Sequence, residues 1–132
     1  MRIVLPVPPT VNTYWRNLNG RTLLSKKGRV YKEMVAQHCQ IMGYNDTNLA
    51  GGLIVSILLR FPDKRRRDID NYAKAVLDAL TDAGVWLDDS QINALSIVRG
   101  AIAKPGECVI SIAPEDCRTG EVAQSQIDTA KD

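Results

Sequence analysis

Arg2–Val7 is a short run, mainly aliphatic after Arg2, that reads as a strand, and Pro8-Pro9 ends it. Residues 10–24 read as a polar loop carrying aromatics, with Asn19-Gly20 as a turn signal. A helix is expected from Ser25, with Val30, Tyr31, Met34, Val35, Ile41 and Met42 as its apolar residues and Gly43 as terminator. Asn45–Gly52 reads as loop. Leu53–Phe61 is short, dense in branched aliphatics and bounded by Gly-Gly and Pro62, the pattern of a well-buried strand. After the basic run Lys64–Arg67, the positions Ile69, Ala73, Val76, Leu77 and Leu80 predict a second helix over 69–83, closed by Gly84. Ile92–Ala103 and Glu107–Ala113 predict two further strands, separated by the turn Lys104-Pro105-Gly106.

The element order β-α-β-α-β-β suggests an α+β class: a single small domain over 1–113, with one mixed sheet covered by two helices. Residues 114–132 are polar, acidic and without aromatics, and are expected to form a disordered tail. The first residues lack the pattern of a signal peptide, and no apolar run approaches the roughly 20 residues of a membrane span. A soluble, cytoplasmic protein is therefore expected. Cys39, Cys108 and Cys117 have no pairing rhythm, which argues against a disulfide scaffold and against zinc. The single histidine, His38, lacks partner ligands and reads as an ordinary helix residue.

Charge sharpens the picture. The net charge of +2 divides into a basic body and a tail with two basic and five acidic residues. Seven of the ten acids in residues 1–113 lie between Asp63 and Asp89. A basic body suits a polyanion. The acidic cluster inside it needs a separate reason, which a hard cation would supply, since Mg²⁺ takes carboxylate oxygens and keeps several waters. Asp68 and Asp70 stand at the start of the second helix, Asp88 and Asp89 just past its far end. A helix of about 15 residues spans roughly 22 Å, so the pairs meet only if the chain doubles back after Gly84. Asp70 and Lys74 fall on the rim of the buried face, about 40° apart around the helix axis. There Asp70 could ligate metal, and Lys74 could neutralise phosphate charge or orient a water.

The same residues have ordinary readings. Asp68 is an apt N-cap and Asp70 suits the helix dipole. Asp70 and Lys74 could form a surface pair, and Asp88-Asp89 could be turn residues. The adjoining cations Lys64, Arg65, Arg66 and Arg67 favour the functional reading, because they make sense where a phosphate backbone approaches bound metal. Arg16, Arg21, Lys26 and Lys27, with Arg29, form a second basic region around Tyr14 and Trp15. That mixture suits stacking or wedging at unpaired DNA, although Trp15 could equally pack on the core edge. Trp86 is expected to be packing.

Arg65-Arg66-Arg67-Asp68-Ile69-Asp70-Asn71 with Lys74, then Asp78-Ala79-Leu80, Gly84 and Trp86-Leu87-Asp88-Asp89, resembles the signature of RusA endonucleases. Pro8-Pro9-Thr10-Val11-Asn12, Tyr14, Gly20-Arg21-Thr22 and Ser25 resemble that family's opening segment. The resemblance spans about residues 2–113. It implies a homodimeric Holliday-junction resolvase, bacterial or phage-encoded, that nicks four-way DNA symmetrically with Mg²⁺, Mn²⁺ being a substitute. It needs no organic cofactor and no membrane. Carried over, Asp68, Asp70 and Asp89 would be metal-binding catalytic acids, with Asp88 as a further metal ligand. Lys74 would be the catalytic lysine and Arg67 a phosphate contact. Two other functions fit the residues alone: a non-catalytic binder of branched DNA, for which metal is dispensable, and a metal-dependent phosphohydrolase, which has little use for two basic regions.

Overall fold

The computed structural model describes residues 1–115. Its main sheet has four strands: β1 (Arg2–Leu5), β4 (Leu53–Arg60), β5 (Ile92–Arg99) and β6 (Glu107–Pro114), in the order β1-β6-β4-β5. β4 and β5 run parallel, joined by a helical crossover, and β6 runs antiparallel to both β1 and β4. The sheet is thus mixed and the class α+β, as the element order suggested. Helix α2 (Lys26–Met42) and helix α3 (Ala73–Asp82) pack on each other beside it.

Alternation explains the core. Ile3 and Leu5 of β1, Leu53, Val55, Ile57 and Leu59 of β4, and Cys108, Ile110 and Ile112 of β6 all turn inward and meet the helices. β4 is buried along most of its length because a strand flanks it on each side.

Four expectations change. Residues 10–24 are not irregular: α1 (Val11–Tyr14) is a single turn, and β2 (Trp15–Leu18) and β3 (Arg21–Leu24) form a hairpin. Asn19 and Gly20 both take positive φ, 52° and 77°, which closes the two-residue turn. Helix α2 starts and stops as its caps foretold. Ser25 Oγ accepts from the Gly28 amide at 2.9 Å, and Gly43 sits in the left-handed region at φ 75°. Its buried stripe, however, is Gly28, Tyr31, Val35 and Cys39, while Val30, Ile41 and Met42 are exposed.

The second helix is not continuous. Ile69–Tyr72 forms a 3₁₀ turn and only Ala73–Asp82 is α-helical. Asp68 makes no side-chain cap, so the first turn is held instead by the Asn71 amide donating to the Asp68 carbonyl at 3.1 Å. Finally, β5 ends at Arg99 and not at Ala103. Residues 100–106 cross the end of β4, the Gly100 amide donating to Leu59 O (2.8 Å) and the Ala103 amide to Phe61 O (3.0 Å). Lys104-Pro105-Gly106 therefore belongs to a crossover that seats β6 between β1 and β4.

Pro114 pairs with Leu53, and the Glu115 amide donates to Gly52 O, so ordered pairing continues past the expected end of the domain. The rest of the expected tail, with Cys117, lies outside the described residues. Cys39 and Cys108 are free, buried thiols. Trp86 is buried, as its packing reading required, and its indole N–H donates to Thr81 Oγ1 at 2.6 Å. Among the described residues no helix is long and apolar enough to cross a membrane.

Candidate active site

The chain doubles back after α3. Gly84 takes φ 79°, and the following residues run beside 46–49, with Asn48 and Leu49 amides donating to Gly84 O and Val85 O. A 3₁₀ turn, Asp89–Gln91, then leads into β5. Gln91 fixes that turn from both ends of its side chain. Its Oε1 accepts from the Leu87 and Asp88 amides, and its Nε2 donates to Leu49 O and Gly51 O, each at 2.8 Å. The result brings the Asp89 carboxylate within 4.0 Å of the Lys74 ammonium, at the outer limit of a direct ion pair. Both groups remain about half exposed. Lys74 therefore pairs across the fold with Asp89, and no i,i+4 bridge to Asp70 forms.

Asp68 immediately precedes the 3₁₀ turn before α3 and Asp70 lies on it, both exposed. Among the described residues, neither carboxylate has a hydrogen bond or an ion pair with another side chain. Asp88 is differently placed. It caps the Asp89–Gln91 turn and accepts from Ser90 Oγ at 2.5 Å, and that hydroxyl holds its carboxyl below the usual range. Asp88, which the resemblance names as a further metal ligand, is thus engaged with its own turn in this structure.

Among the described residues, no three His, Cys, Asp or Glu side chains come together closely enough to hold an ion by themselves. The donors that are present suit a hard cation: two free carboxylates and a third beside an ammonium. Mg²⁺ commonly takes one or two carboxylates, waters and substrate phosphate oxygens, without an all-protein cage. The donor set fits such a cation.

The basic run splits in two. Lys64, Arg65 and Arg66 are exposed, but the Arg67 side chain is only 16% exposed. Its guanidinium donates to Asp63 Oδ1 at 2.7 Å and lies 4.8 Å from the centre of the Phe61 ring. That pairing draws the Asp63 carboxyl below its usual range. Arg67, expected as a phosphate contact, turns its guanidinium inward onto Asp63 and the Phe61 ring in this structure. Arg99, which sequence patterning did not single out, joins it. Its guanidinium lies 5.4 Å from the same ring and donates to the Arg67 carbonyl. A cleft of about 230 Å³ opens here between Phe61, Asp63, Lys64, Arg65 and Arg99. A lone arginine ending an apolar strand carries no signal in sequence that would have marked it.

The second basic region is exposed: Arg16 and Arg21 on the hairpin, Lys26 and Lys27 at the start of α2. The aromatics set among these cations are not free. Tyr14 is fully buried and donates to Asp78 Oδ2 at 2.5 Å, tying α1 to α3. Burial and the Asp78 carboxylate raise its pKa well above the ordinary tyrosine range. Trp15 packs edge-on against Tyr14 with ring centres 5.0 Å apart, the core-edge alternative. A wider groove of about 570 Å³, lined by Val7, Pro8, Pro9, Tyr31 and Met34 with Lys26 and Lys27, contains none of the acids.

The arrangement has close relatives. The family model described as Endodeoxyribonuclease RusA matches residues 6–112. A crossover junction endodeoxyribonuclease RusA of Escherichia coli K12 is 41% identical over 110 residues, covering 83% of this chain and 91% of that protein. Enterobacteria phage 82 has one equally similar over the same shares, and Shigella sonnei Ss046 has one that is 40% identical. The matched span contains both acid pairs, Lys74 and the basic run. On that match, and with the α+β fold that carries it, this chain belongs to the RusA endodeoxyribonuclease family.

Proposed function

We propose that this protein is an endonuclease that resolves Holliday junctions, using a divalent cation, Mg²⁺ or Mn²⁺, and acting as a symmetric dimer in the cytoplasm on bacterial or phage DNA. The observation that carries the reading is the meeting of Lys74 with Asp89 at 4.0 Å, with the exposed Asp68 and Asp70 and an exposed cationic run just before Lys74 in the chain. Stability alone does not ask for this combination.

Lys64, Arg65 and Arg66, with Arg16, Arg21, Lys26 and Lys27, attract the DNA backbone and set its register. Asp68, Asp70 and Asp89 would hold the cation, whose chemistry there would be to acidify water and to withdraw charge from the phosphate. Hydrolysis forms one P–O bond to water and breaks one P–O bond to the departing strand end, which takes up a proton. Negative charge builds on the phosphoryl oxygens as this happens. Lys74, held by Asp89 and half exposed, is placed to meet that charge. A dimer fits the substrate: a four-way junction has approximate two-fold symmetry, and two identical sites serve two related cuts.

The test is cleavage of a labelled four-way junction with Mg²⁺, beside matched linear duplex and the Asp70→Asn variant. Paired nicks in the junction alone, abolished in the variant while junction binding persists, are expected. Tight binding with no cleavage in either Mg²⁺ or Mn²⁺ would make the protein a binder of branched DNA instead.

A further inference from the structure

Among the described residues, Asp68 and Asp70 have no side-chain partners of their own, so the backbone beneath them decides where they stand. That backbone leaves β4 at Phe61 and runs to Asp68 without regular structure. Its internal ties are short. The Arg65 amide and the Arg67 guanidinium both donate to Asp63 Oδ1, at 3.0 and 2.7 Å. At the beginning, the Ala103 amide holds Phe61 O. At the far end, immediately before Asp68, the Arg99 guanidinium donates to Arg67 O.

We propose that Arg99 is a positioning residue for the acids: by gripping the Arg67 carbonyl from the end of β5, it fixes the peptide that carries Asp68 and Asp70. The inference rests on the metal-dependent reading above. Three features support it. Arg99 belongs to the main sheet, so the grip transfers the sheet's rigidity to an irregular segment. Its guanidinium and that of Arg67 both lie over the ring of Phe61, which is buried and itself packs edge-on against Tyr72 at 5.0 Å on the 3₁₀ turn carrying Asp70. And β5 begins just after the turn that presents Asp89, so one strand connects both halves of the site. Arg67 has Asp63 for its charge, whereas among the described residues Arg99 pairs with no carboxylate. A carbonyl is its anchor.

The experiment uses the full chain with Arg99→Ala and Arg99→Lys. Mn²⁺ affinity of the protein alone is read from the free-ion electron paramagnetic resonance signal. Amide hydrogen exchange is followed at residues 68–71, and junction binding is measured against salt without divalent ions. Arg99→Ala is expected to weaken Mn²⁺ binding about tenfold, the scale of losing a group that orients metal ligands. It should also speed exchange at 68–71 and leave the salt slope unchanged. Arg99→Lys, which keeps a donor for the carbonyl, should recover much of both, and it carries the same readouts if the alanine variant does not fold. A salt slope reduced by about one with Mn²⁺ affinity intact would make Arg99 a phosphate contact and overturn the proposal. So would unchanged metal affinity and exchange. If the wild-type chain neither binds Mn²⁺ nor cleaves, the metal-dependent reading falls, and the exchange data still decide whether Arg99 holds the segment.

Discussion

Arg66 and Arg67 are neighbours with opposite surroundings. Arg66 is exposed, while Arg67 folds back onto Asp63 and the ring of Phe61. Truncating the two should therefore give different phenotypes. Arg65→Ala with Arg66→Ala is expected to weaken junction binding and lower the salt slope by about two, with the melting temperature unchanged. Arg67→Ala should instead lower the melting temperature, because it removes the guanidinium that donates to Asp63 and uncovers the ring. Binding titrations at several salt concentrations, with a thermal melt of each variant, check both. Equal loss of salt slope from Arg67→Ala would return that residue to the DNA surface.

Among the elements, α2 and the α1–hairpin segment approach closely at Gly28. The Cα of Gly28 faces the Tyr14 carbonyl so closely that an added Cβ would lie 2.5 Å from that oxygen and 3.0 Å from Leu24 Cδ1. Alanine is better than glycine inside a helix by about 1 kcal/mol. Here the clash outweighs that gain, because the Tyr14 carbonyl is held by the Ser25 amide at 2.9 Å and cannot withdraw freely. Gly28→Ala is expected to lower the melting temperature by several degrees. A rise would mean that the hairpin shifts without cost. Exchange of the Tyr14 side chain with solvent in this variant would trace the damage to the α1–α3 tie through Asp78.

At the scale of the molecule, buried protons set an alkaline limit. Burial pushes the Cys108 thiol up to about 12 from an ordinary value of 9.0. Between those values the unfolded chain gives up a proton that the folded chain keeps. Unfolding is then increasingly favoured as pH rises. Tyr14 and Tyr31, also raised by burial, act in the same sense from about pH 10 upward. The melting temperature should decline progressively above pH 9, and Cys108→Ala should flatten the first part of that decline. A separate expectation concerns assembly: light scattering at concentrations where the protein cuts should give the mass of two chains. A monomeric mass in active samples would contradict the two-site model.

Local signals in the sequence were enough for much of this. Ser25 and Gly43 bound α2 because capping depends on a few adjacent residues. The aliphatic run Leu53–Phe61 could hardly be other than a buried strand, and the spacing from Arg65 to Lys74 marked the family. The Asn19-Gly20 turn was visible too, but a hairpin needs flanking strands, and Arg16, Asn17 and Thr22 gave no apolar alternation to reveal them. Other features depend on distant partners. The insertion of β6 between β1 and β4 follows from pairing over the whole chain. The approach of Asp89 to Lys74 depends on how the segment after Gly84 lies against residues 46–49. Tyr14 reads as a surface aromatic among cations until α3 supplies Asp78. Arg67 reads as one more exposed cation until Phe61, Asp63 and Arg99 surround it. The sequence by itself determined most of the main strands and helices, the caps of α2 and the residue types available for chemistry, because these rest on short-range backbone and side-chain preferences. Only the tertiary structure decided which charges meet and which are already spent on the fold, because those contacts join residues that only packing brings together.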